Sequence, residues 1–247
     1  DLQLLRELKQ MAFNPSKCKI LHVTRSRNLQ PPIYKLNTSD LSRAPSYVYL
    51  GVTICANLQW NTHIDNIVKR ANRLHGFIRV VAGHASTPDI FSLYKALILP
   101  ILEYGCPAWH PHTLKQEQQL ERVQRAATRL ALKQRRGDMS YEDRLTTLHW
   151  SSLSSRRDYL LLSFTFKCLS GLTLCEALTE CTQINSRRQE VLTFRYLPSR
   201  TQALFLSPSR RFPRLWNNLP TVIKDTVVLN SISSFLSTMK QSLLTVH

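Results

Sequence analysis

The most regular hydrophobic pattern in the chain lies between residues 64 and 81, where Ile64, Ile67, Ala71, Leu74, Ile78 and Val81 step by three and four. That period predicts a helix burying one face. Ser86-Thr87-Pro88-Asp89 offers a hydroxyl cap, a first-turn proline and an acid at the positive helix end, so a second helix should run through Leu93 towards Leu99. Pro100, Gly105, Pro107 and Pro111 should then break it up. Thr113 to Gln116 has capping-box spacing ahead of a long helix to about Gln134, and Ser140 to Asp143 opens a shorter one, with Gly137 at the break between them. A further helix is expected over 154–170, with Gly171 as its left-handed stop, and an amphipathic one over 231–244. Before these helices, residues 18–24 and 47–54 are rich in branched and aromatic side chains and read as two strands joined by a loop. Residues 183–220 mix Arg, Ser and Pro with short apolar pieces and read as irregular. The fold class that follows is mainly α with a small β portion at the N-terminus.

Charge narrows the partner. Across 247 residues, 33 Lys and Arg stand against 16 Asp and Glu, a formal net charge of +17, which favours a polyanion. Nucleic acid leads over an anionic membrane surface, because no apolar run approaches the roughly 18 residues needed to span a bilayer. The opening Asp1-Leu-Gln-Leu-Leu-Arg6 lacks the pattern of a secretory signal, and the chain is read as intracellular. Cys18, Cys55, Cys106, Cys168, Cys175 and Cys181 are scattered, as free thiols in a reducing compartment would be. The six glycines are too dispersed to build a phosphate-cradling loop.

The cations themselves have a pattern. Arg122, Arg125, Arg129, Lys133 and Arg136 recur every three or four residues, which at 100° per residue places them within an arc of roughly 80°. Leu120, Val123, Ala127 and Leu130 occupy a separate arc, so one helix can pack on one side and present a cationic row on the other. Such a row suits phosphate oxygens without reading bases. A solvated charged face is the bland alternative, yet only Glu121, four residues before Arg125, and Glu117 stand near the row. Lys69, Arg70 and Arg73 either extend this surface or flank a core face. Trp150, Trp216 and Phe212 lie among Arg156, Arg157, Arg210, Arg211 and Arg214 and could stack on bases or anchor a core; Arg210 and Arg211 are kept as a second contact region. Cys106, His110 and His112 are close together, but Pro107 and Pro111 separate them, and a structural turn is the expected reading.

Five blocks, in order, carry a resemblance. They are Phe13-Asn-Pro-Ser-Lys17-Cys18, Tyr49-Leu-Gly-Val-Thr-Ile54, Leu99-Pro-Ile-Leu-Glu-Tyr-Gly105 with Trp109, Leu148-His-Trp-Ser-Ser-Leu153 with Arg156 and Arg157, and Ser207-Pro-Ser-Arg-Arg-Phe-Pro-Arg-Leu-Trp-Asn-Asn-Leu-Pro220. Together the chain resembles the C-terminal part of the reverse transcriptase of non-LTR (LINE-type) retrotransposons. The resemblance implies the end of a polymerase palm over 1–58, a helical thumb over 59–136 and a helical C-terminal extension over 137–247. It also implies that Lys17 matches a lysine proposed to protonate departing pyrophosphate, and that Tyr49, Leu50 and Gly51 match the hairpin that grips a primer end. An ordinary buried strand explains Leu50, Val52 and Ile54 equally well. The stretch from Leu5 to Phe13 is shorter than the family pattern and lacks its tryptophan.

Such polymerases hold magnesium with an upstream double-aspartate motif that does not occur here, and Asp40, Asp65, Asp89, Asp138, Asp143, Asp158 and Asp225 fall on different expected elements. Two-cation phosphoryl transfer needs converging carboxylates. The expectation is therefore no metal and no cofactor in this chain, and no polymerase activity without a missing N-terminal portion. The implied partners are element RNA and an RNA–DNA or DNA duplex, in the nucleus. Two other readings stay open: a binding module for nucleic acid or protein in its own right, and a relic of a decayed element.

Overall fold

A computed structural model describes residues 14, 17–24, 32–36, 39–83, 86–173, 183–184, 193–221, 223–224 and 232–244. The stretch from Leu5 to Phe13, together with Cys175 and Cys181, lies outside them. The described chain is mainly helical, with its short strands concentrated near the N-terminus, and it divides into two compact units, Asp1–His63 and Ile64–His247.

In the first unit β1 (Lys19–Ile20) pairs in parallel with β4 (Ser42–Arg43), and β2 (Lys35–Leu36) pairs antiparallel with β3 (Ser39–Asp40). Residues 47–54, read above as one strand, instead form most of a hairpin. Its arms are β5 (Ser46–Tyr49) and β6 (Val52–Cys55), and Tyr49 faces Val52 across a two-residue turn. Leu50 and Gly51 fill the turn with φ of 46° and 81°, the two positive angles that match the twist of a tight hairpin. Leucine pays a steric penalty there, because its Cβ crowds the following carbonyl, by roughly 1–2 kcal/mol. Leu50 is also 72% exposed, which rules out the buried-strand reading of that residue. Thr53 is buried, and its N–H donates to Nδ1 of His63 at 3.2 Å. Burial lowers the His63 pKa, keeping the ring neutral and able to accept.

Helix α1 (Asn61–Val81) carries the pattern first noticed in the sequence. Ile64, Val68, Ala71, Ile78 and Ala82 are buried along one side. Helix α2 (Thr87–Leu93) starts at the expected box, with Ser86 and Asp89 capping each other reciprocally. Pro100 does not end the helical path. A π turn over Tyr94–Ile98 leads into α3 (Leu99–Glu103), and Leu99 N–H reaches back five residues to the Tyr94 carbonyl. The widened turn accommodates a proline that lacks an N–H and would crowd a regular helix. The path ends where Tyr104 turns extended and Gly105 takes φ 64°.

Helices α4 (Leu114–Ala131), α5 (Tyr141–Leu148) and α6 (Leu153–Leu169) follow. Gly171 stops α6 at φ 73°, with its N–H bonded to Cys168 O and that of Leu172 to Lys167 O, the paired bonds of a left-handed helix stop. Within the range read as irregular, residues 183–184 and 193–220 include regular elements. Strands β7 (Gln183–Ile184) and β8 (Thr193–Phe194) pair antiparallel, and α7 (Gln202–Phe205) and α8 (Pro208–Asn217) follow. Pro208 sits in the first turn of α8, where its missing N–H costs nothing, while Pro213 is tolerated inside it. The chain closes with α9 (Ile232–Leu244).

Aromatic packing settles the tryptophans. Trp150 stacks on Tyr94 with ring centroids 4.7 Å apart and on Phe91 at 5.1 Å. Phe212 and Trp216 are fully buried with Leu162, Phe166, Phe194 and Met239. These rings hold the core and present no face for stacking on bases. Asn217 pins β8 by accepting from Phe194 N–H at 3.1 Å and donating to its carbonyl at 2.8 Å. Among the described residues no helix is long and apolar enough to cross a membrane.

Candidate nucleic-acid interface

Helix α4 begins at a complete capping box. Thr113 Oγ1 accepts from Gln116 N–H at 3.3 Å, and Gln116 Oε1 accepts from Thr113 N–H at 3.2 Å. Its inner side carries Leu120, Val123, Ala127 and Ala131 together with buried polar groups, Glu121 and Gln124. Gln124 accepts from the Tyr94 hydroxyl at 2.9 Å and donates to Ser151 O at 2.7 Å and to the Tyr141 hydroxyl at 3.2 Å. This network holds α4 against its neighbours.

The fate of the helix's two acids is decisive. Glu121 faces inward, where its Oε1 accepts from the Tyr141 hydroxyl and, at 3.3 Å, from Leu153 N–H. Burial first, then the neighbouring carboxylate, keeps the Tyr141 hydroxyl protonated far above its usual range. Glu117 pairs at 3.4 Å with Arg157 of α6. Neither neutralises the row, so the expected Glu121–Arg125 pairing is replaced: Arg125 lies over the Tyr141 ring, 4.8 Å from its centroid. Among the described residues the ion pairs within 4.0 Å are Lys35–Asp40, Arg156–Glu103, Arg157–Glu117 and Arg211–Asp158, and none includes a member of the row.

The row is also bent. Helix α4 ends at Ala131 rather than near Gln134, and Lys133 adopts φ 53°. Lys133 N–H bonds Leu130 O at 3.2 Å and Gln134 N–H bonds Arg129 O at 3.0 Å, so a lysine occupies the left-handed stop that glycine usually fills. Arg122, Arg125 and Arg129 therefore ride the helix, while Lys133 and Arg136 leave it in the following turn. Arg122, Lys133 and Arg136 are exposed, and Arg125 and Arg129 are half-buried. Burial, and then the charges of Arg144, Arg136 and Arg125, lower the Arg129 pKa. Arg129 thus stands inside a positive field.

Helix α1 lies beside α4. Gln119 Nε2 donates to Asp65 Oδ1 at 2.7 Å, and further along His75 bonds the backbone of Ala126. These pairs advance together, so the two helices run side by side in the same direction. Near their C-terminal ends they enclose a groove of about 620 Å3 lined by His75, Arg79, Arg129, Lys133 and Gln134. Sequence reasoning missed His75 and Arg79, because only the packing of α1 on α4 brings them beside Arg129. Lys69, Arg70 and Arg73 are exposed on the other side of α1, away from its buried stripe.

The remaining candidates belong to other elements. Lys17 is exposed, and its carbonyl accepts from the Tyr47 hydroxyl at 3.3 Å. Tyr49, Leu50 and Gly51 form the exposed hairpin tip of the first unit. On α8, the Arg211 guanidinium is drawn into a half-buried ion pair with Asp158 and lies against the His110 ring. Burial, then Arg211, push His110 down to about 2, so the ring stays neutral. His110 is thereby committed to Arg211, and burial raises the Cys106 thiol to about 12. Arg210 is half-buried, with Nε and Nη1 out of solvent. Among the described residues no three His, Cys, Asp or Glu side chains converge to hold a metal ion. No protein-family model, curated protein or solved structure matches the chain.

Proposed function

We propose that this chain holds nucleic acid by its phosphate backbone, as the strand-holding part of a polymerase of the non-LTR reverse transcriptase kind. The single observation that carries the binding reading is the diversion of Glu117 and Glu121 away from α4, which leaves Arg122, Arg125, Arg129, Lys133 and Arg136 without a carboxylate partner among the described residues. Five uncompensated cations along one helix and its exit turn attract a line of phosphates. Arginine forks grip the oxygens without reading bases. In this reading α1 to α4 act as a thumb against the backbone of an RNA–DNA or DNA duplex, Lys69, Arg70 and Arg73 add exposed charge, and the tip at Tyr49, Leu50 and Gly51 touches a primer end. Arg211 is left out because Asp158 and the fold already engage it, and Arg210 with it because two of its three guanidinium nitrogens are out of solvent. No catalytic step is assigned to this chain. A nuclear location and element RNA as partner belong to the same proposal.

The test is a salt titration of binding to a labelled RNA–DNA duplex. Neutralising about four phosphates gives a slope near −3 to −4 in log affinity against log salt. Affinity independent of salt would end the backbone reading.

A further inference from the structure

The groove between α1 and α4 differs from the row that borders it. Along α4 the arginines are presented one after another, as successive phosphates of a strand require. In the groove Arg79, Arg129 and Lys133 instead line one concavity, with His75 beside them and no acid in the lining. The two helix C-termini close by oppose an anion with about half a negative charge each. Three cations outweigh them, leaving an excess of about two positive charges. An internal phosphodiester brings one negative charge, whereas a phosphate monoester brings about 1.5 to 2, with three terminal oxygens. Burial first, and after it the charges of Arg79 and Arg129, lower the His75 pKa against the opposing pull of its bond to the Ala126 backbone.

We infer that this groove is a binding site for a terminal phosphate, the monoester at the end of a nucleic-acid strand whose internal phosphodiesters lie along α4. Arg79 and Arg129 grip the oxygens with their forks, Lys133 adds a point charge from its left-handed turn, and His75 closes the inner wall as a neutral ring. The inference rests on the strand-holding reading and adds a polarity to it, because an end and not any internal position is seated.

Two labelled RNA–DNA duplexes of one sequence, differing only in whether one strand ends in a 5′-phosphate or a 5′-hydroxyl, decide it with the full chain. The phosphate-ended duplex should bind about tenfold tighter, the difference that one added charged contact supplies. Arg79→Gln, at an exposed position, should bring its affinity down to that of the hydroxyl-ended duplex, whereas Arg122→Ala should weaken both duplexes alike and keep the preference. Inorganic pyrophosphate should remove the preference by competition. Equal affinities for the two duplexes, or a preference that survives Arg79→Gln, overturn the groove and leave the α4 row standing. Pyrophosphate binding that depends on Arg79, without any preference between duplexes, assigns the groove to free phosphate and likewise overturns a strand end. If neither duplex binds at low salt, the strand-holding reading falls, and this inference with it.

Discussion

Two sets of arginines in the second unit have opposite fates. Arg156 and Arg157 of α6 and Arg211 of α8 turn inward onto acids: Arg156 meets Glu103, Arg157 meets Glu117 and Arg211 meets Asp158. The Arg157 side chain is only 2% exposed. Those of α4, Arg122, Arg125 and Arg129, meet no acid among the described residues. The two fates are linked, because Arg157 takes Glu117, an acid of α4 itself. Pairing in the scaffold thereby uncovers charge on the surface. An arginine count alone does not locate an interface; the destination of the nearest carboxylates does.

The largest expected effect breaks the scaffold set. Arg211→Ala leaves the half-buried Asp158 carboxylate without its cation, a change that costs about 2–3 kcal/mol. Urea unfolding should register that loss, while the salt slope of binding, measured where the variant is still folded, stays as in the parent chain. A shifted slope would mean that Arg211 also meets phosphate.

Next comes pH, which acts on the scaffold through histidines whose pKa values are lowered. His110, pushed to about 2 by burial and Arg211, takes a proton more readily in the unfolded chain, whose value is near 6.5. Its contribution is therefore fully present above pH 6.5 and lost as pH falls below it, by about 1 kcal/mol per pH unit. His63, His75 and His112 are shifted in the same direction and steepen the loss. Melting temperatures between pH 7.5 and 5.5 should fall accordingly. A flat profile would contradict the neutral His110–Arg211 contact.

Lys133→Gly separates charge from backbone. Glycine relieves the φ of 53° and stabilises the chain by about 1 kcal/mol, yet the lost cation should make the salt slope shallower by about one unit. Smallest in stability is Arg122→Ala, expected within about 0.5 kcal/mol of the parent with the same one-unit loss of slope. Stability lost at Arg122 without any change in slope would place it with the scaffold set.

Local signals in the sequence anticipated the local structure well. The boxes at Ser86 and Thr113, the cap at Ser140 and the stop at Gly171 each depend on residues within one helical turn, and each appears where expected. The end of α4 was hidden because a lysine stands where glycine would have announced it. The run from Tyr94 to Glu103 was misread because a π turn absorbs Pro100, and α8 because its prolines mask an amphipathic helix with Phe212 and Trp216 inside. Spacing alone could not show that Glu121 turns towards Tyr141 and Leu153, or that His75 and Arg79 meet Arg129 across a groove. Those outcomes depend on which helix packs against which face.

The division between the two sets is tested most directly by the salt dependence of duplex binding for the triple variant Arg122→Gln, Arg125→Gln, Arg129→Gln. A slope about three units shallower than the parent's, measured where the variant is still folded, is the expected result. An unchanged slope would contradict the assignment of the α4 arginines to phosphate.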